Sequence, residues 1–69
     1  MNFLKSFQIA KLAAHVDGKQ IALVKHLRSD EWTIVSGQVM FVPDVTVTPQ
    51  GEVRTFTMIG RRALAQFAT

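Results

Sequence analysis

Asp17-Gly18 divides the first half of the chain into two apolar runs, and any fold it adopts must turn there. Glycine enters the left-handed region without the clash a Cβ would cause, so an Asp-Gly pair either stops a helix or forms a hairpin tip. The flanking stretch LAAHVDGKQIALVKHLR, residues 12–28, therefore reads as helix–turn–helix or as a β-hairpin. Ala10, Ala13, Ala14 and Ala22 favour the helical reading, because alanine is the best helix former and is depleted in strands.

Residues 2–16 place Phe3, Phe7, Ala10 and Ala14 on one helical stripe. Leu4, Ile9, Leu12, Ala13 and Val16 widen it, and Lys5, Gln8, Lys11 and His15 form a polar face. Asn2 or Ser6 supplies the cap. Residues 19–29 are predicted as a second helix lined by Ile21, Val24 and Leu27. Ala22 and Leu23 are apolar as well, which is more than one side of one helix buries in a small core.

After Ser29-Asp30-Glu31 the pattern changes to strand formers, Trp32 to Val35 and Val39 to Val42, broken by Ser36-Gly37-Gln38 and closed by Pro43. Val45 to Thr48 and Val53 to Met58 flank Pro49-Gln50-Gly51-Glu52, whose proline and glycine suit a hairpin turn. Residues 59–68 predict a closing helix, with Ile59, Ala63, Leu64, Phe67 and Ala68 on its apolar side and Arg61, Arg62 and Gln66 outside. The expected fold is a single α+β domain over residues 1–69: two N-terminal helices, a β-hairpin and a short C-terminal helix. Trp32, Phe41, Phe56 and Phe67 are expected in its core, where aromatic rings bury the most area.

No cysteine is present, which excludes disulfides and thiolate metal sites. No apolar run reaches the roughly 18 residues of a membrane span, and the N-terminal apolar run is too short for a signal peptide, so a cytoplasmic protein is expected. The serines lack a nucleophile-elbow context and the four glycines are scattered, so neither hydrolase nor phosphate-cradling chemistry is indicated. The five carboxylates fall at turns or element ends. His15, Asp17 and His26 do not follow a metal-ligand spacing. No enzymatic activity, catalytic residue, metal or cofactor is expected.

Charge is unevenly distributed. Residues 1–28 carry Lys5, Lys11, Lys19, Lys25 and Arg28 against Asp17, a net +4; residues 29–53 carry four acids and no base, a net −4; residues 54–69 carry three arginines. The element order, with Leu12, Ala13, Val16, Leu23, the run Lys25-His26-Leu27-Arg28 and the strand-to-helix piece TFTMIGRRALAQFA, resembles the winged helix-turn-helix regulators of bacteria and phage. The resemblance covers residues 6–68 and implies a transcriptional regulator that reads duplex DNA with the helix at 19–28. Lys19 and Gln20 would meet base edges, Lys25 and Arg28 phosphates, and Arg54 at the hairpin wing the backbone or minor groove. The apolar excess on the second and last helices predicts a homodimer, which would also bring two recognition helices to half-sites about one DNA turn apart. The excess apolar surface of residues 21–24 and the acidic wing support a different class, a small protein-binding module or inhibitor of the accessory type found in phage, acting on a host protein.

Overall fold

The computed structural model describes residues 1–68; the side chain of Ala68 and all of Thr69 lie outside the described part. The elements run α1 (Phe3–Asp17), β1 (Ile21–Lys25), β2 (Trp32–Ser36), β3 (Val45–Val47), β4 (Val53–Thr55) and α2 (Met58–Ala68). The class is α+β, but the helix-turn-helix is overturned: one N-terminal helix precedes a four-stranded antiparallel sheet of order β2-β1-β3-β4.

Asn2 caps α1, its side chain accepting the Lys5 N–H at 2.8 Å. Gly18 ends the helix in the left-handed conformation at φ 66°, donating its N–H to the Ala14 carbonyl at 3.0 Å. Beyond it the chain does not resume a helix. Ile21-Ala22-Leu23-Val24 is an unbroken apolar run, which suits a strand covered on both faces better than a one-sided helix. The structure uses it that way. β1 lies between β2 and β3, pairing Leu23 with Ile34 on one side and with Val45 on the other.

Ile21, Leu23, Val45 and Val47 point to the face that α1 covers with Phe7, Ala10 and Ala14. Ala63 and Leu64 of α2 pack on the same face, and Phe67 meets the Phe7 ring edge-on at 5.4 Å. Trp32 is buried against Phe3, ring centroids 4.8 Å apart. β3 and β4 form a hairpin turning through Pro49 to Glu52, closed by the Thr48 N–H to the Glu52 carbonyl at 2.9 Å.

β2 and β3 both run antiparallel to β1 and flank it, so residues 37–44 must travel back across the sheet. Eight residues reach about 26–29 Å when extended, enough for the crossing. With the helices on one face, the segment crosses the other, where Ala22 and Thr46 are buried. The predicted strand Val39–Val42 is therefore absent. Its residues favour a strand, but the segment passes over β1 without pairing with it.

Asp44, at the end of this crossing, is a buried fastener. One carboxylate oxygen accepts the Lys25 N–H at 2.8 Å, and the other accepts the Thr57 hydroxyl at 2.6 Å. The Thr57 oxygen in turn accepts the Gly60 N–H at 3.1 Å and so caps α2. Beyond the first residue of β3, one side chain thus replaces a missing strand neighbour of β1 and sets the start of α2. Asp44→Ala leaves a backbone donor and a hydroxyl without their acceptor and is expected to cost about 2–3 kcal/mol. Asp44→Asn, which keeps an amide oxygen to accept one bond, should cost less. Urea unfolding followed by Trp32 fluorescence measures both.

Candidate interaction surface

With β1 a strand, the residues expected to contact DNA do not share an element. Lys19 and Gln20 lie in the turn before β1, exposed, and the Gln20 carbonyl accepts the Gly37 N–H at 3.1 Å. Lys25 ends β1, half-buried, its ammonium donating to the His26 carbonyl at 3.0 Å. Arg28 lies in the loop 26–31. Arg54 sits on β4 and pairs with Glu52 at 3.2 Å. From Lys19 to Lys25 a strand-like rise separates the residues by about 20 Å, against about 9 Å along a helix. The basic set is divided between the two ends of the sheet and its β4 edge, and no helix carries Lys19, Gln20, Lys25 and Arg28 into a groove.

Lys25 and Arg28 do remain close to one another, and they border a feature the sequence did not announce. The loop 26–31 and the crossing segment 37–44 frame a depression of about 570 Å³ on the sheet face opposite the helices. Its walls are Val24, Thr33, Val35, Leu27 and Phe41, and Lys25, His26 and Arg28 stand around it. The His26 imidazole Nε2 lies 2.8 Å from the Thr33 hydroxyl, which ties the loop to β2. Among the described residues, no carboxylate lines the depression.

Two of its apolar walls are open to solvent, Leu27 at 93% and Phe41 at 52%, whereas Val24 and Val35 are half-buried. Met40 and Val42, the chain neighbours of Phe41, are 100% and 70% exposed. Sequence reading placed Leu27 on a buried helical stripe and Phe41 in the core, and both are corrected. Of the four aromatic residues expected inside, only Trp32 is buried; Phe56 and Phe67 are each a little under half exposed. The missed signal was the cluster Val39-Met40-Phe41-Val42 directly before Pro43: apolar residues on a crossing loop have one side without a strand neighbour.

A second exposed apolar stripe, Ile9, Leu12 and Val16, runs along the outer side of α1. His15 and Asp17 lie at the end of α1 and His26 just after β1, and among the described residues no three metal-ligating side chains converge. No described helix is long and apolar enough to cross a membrane.

Comparison with known proteins finds no matching family, no similar curated protein and no similar solved structure. The resemblance to winged helix-turn-helix regulators gains nothing from these comparisons, and the sheet topology removes the motif on which it rested.

Proposed function

We propose that this chain is a small protein-binding module that works through the surface around Leu27 and Met40 to Val42. The observation that carries this reading is the near-complete exposure of Leu27 and Met40 beside a half-exposed Phe41. Leaving large apolar side chains in water forgoes about 1.5–3 kcal/mol each relative to burial. Clustered exposed apolar residues with a polar rim are a mark of interaction sites. Leu27 and Met40 sit on loops, where a rigid sheet positions them without depending on them for its core.

Nucleic-acid binding has one specific support of its own. Arg28 stands near an outward-facing Phe41 on the same depression, with His26 between them in its lining, and a cation beside an aromatic face suits an unpaired base. A single ring offers one stacking platform, whereas the apolar cluster extends over two loops, so the protein-binding reading takes precedence.

Selection of a displayed library of short random peptides against the immobilised protein tests this directly. Enrichment is expected with the parent chain and should be lost with the Leu27→Ser, Met40→Ser double variant, whose exposed positions leave the fold intact. Enrichment that survives the double variant, or none with the parent, overturns the reading.

A further inference from the structure

The depression adjoins an open sheet edge. β2 is the outer strand on that side. The bonds from the His26 N–H to the Glu31 carbonyl and from the Gly37 N–H to the Gln20 carbonyl fix which pairs of the β1–β2 ladder are hydrogen-bonded. These alternate along the ladder, so Trp32, Ile34 and Ser36 direct their backbone groups away from β1. The Trp32 N–H already meets an acceptor there, the Met1 carbonyl at 2.8 Å. Ile34 and Ser36 have no such neighbour among the described residues. β2 holds no charge, proline or bulge, the devices that usually keep an edge from pairing.

On the same side, Thr33 and Val35 of β2 form a wall of the depression. A strand laid against β2 would place alternate side chains on that face, one of them over Val35, Leu27 and Phe41. Its neighbours along the strand would come near His26 and Arg28. Arg28 has no ion pair among the described residues, and no acid lines the depression to compete for it.

We propose that the edge of β2 and the depression beside it together hold an extended, acidic peptide segment bearing one large apolar residue, added to the sheet as a fifth strand. Backbone pairing to Ile34 and Ser36 would give affinity, the apolar depression would select the anchoring residue, and the basic rim would select the charge. The inference rests on the reading of this surface as a protein-binding face. A nucleic-acid strand would use the rim and Phe41 but has no amide ladder to offer the β2 edge.

The peptides enriched from the library decide it by their sequences. Alternation of aspartate or glutamate with large apolar residues is expected. Enriched peptides that are basic or uncharged overturn this inference and leave the protein-binding function standing, whereas an absence of enrichment removes both. For the consensus acidic peptide, Arg28→Glu should weaken binding by about tenfold or more, because it puts like charges together. Saturating the protein with that peptide should slow amide exchange at Ile34 and Ser36. Unchanged exchange at both, or an oligothymidylate that binds more tightly than the consensus peptide and displaces it, contradicts the fifth strand.

Discussion

Leu23→Ala should destabilise the protein by about 2–5 kcal/mol, the usual cost of removing a fully buried leucine and leaving a cavity. Leu23 is wholly inaccessible at the middle of the central strand, between Ile34 and Val45 and beneath α1. Three elements meet at this side chain, so none can close the gap without giving up its ladder bonds. A domain of this size holds only about 3–10 kcal/mol in total, so the loss takes a large share of it. The expected result is a urea midpoint far below that of the parent, read from Trp32 fluorescence. In the helix-turn-helix fold Leu23 would lie on a surface helix, and the same change would cost far less. A loss below about 1 kcal/mol contradicts its placement in the central strand.

Gly60→Ala is expected to be nearly as damaging, for a different reason. A Cβ at Gly60 would fall 2.1 Å from the Asp44 carbonyl oxygen and 2.8 Å from its carbon, both backbone atoms that cannot rotate away. The first turn of α2 therefore has to lift from the start of β3. That also strains the Thr57 cap and the bond from the Phe56 N–H to the Asp44 carbonyl. The cost should reach about 3 kcal/mol, at the upper end of overpacking penalties. Alanine normally strengthens a helix by up to about 1 kcal/mol over glycine, so a destabilisation here isolates the close approach. Thermal unfolding of Gly60→Ala beside an exposed control, Gln8→Gly, separates the two effects: the control should lose about 1 kcal/mol and Gly60→Ala several times that.

Several parts of this fold were legible in the chain. Asn2, the alanine-rich stripe and Gly18 define α1 because capping and periodicity are local. The turn at Pro49 to Glu52 was legible for the same reason, as was the amphipathic pattern of α2. What local pattern does not convey is how many faces of an element are covered. Ile21 to Val24 carried too many apolar residues for a helix, and that excess was itself the signal of a strand with cover on both sides. Ala22 favours a helix by composition, although it lies buried on the sheet face opposite α1. Val39 to Val42 had the composition of a strand but no partner, and only topology reveals that. The interaction surface was hidden for the same reason. Leu27 and Phe41 are fourteen positions apart in the chain, and the crossing of residues 37–44 brings them to one depression. Of the expected DNA contacts, Lys25 and Arg28 remain together on its rim. Lys19, Gln20 and Arg54 are distributed elsewhere because a strand spaces residues more than twice as far apart as a helix.

The placement of residues 21–25 decides the fold, the dispersal of the basic residues and the surface built around Leu27. Nuclear Overhauser contacts along the backbone read it most directly. In antiparallel sheets the residues of a non-hydrogen-bonded pair bring their Cα atoms to about 4.5 Å, close enough for a strong Hα–Hα contact. Such contacts are expected between Leu23 and Ile34 on one side of β1 and between Ala22 and Thr46 on the other. Consecutive amide–amide contacts running unbroken from Lys19 to Arg28, with neither cross-strand contact present, would instead place a helix there and contradict both the sheet and the interaction surface derived from it.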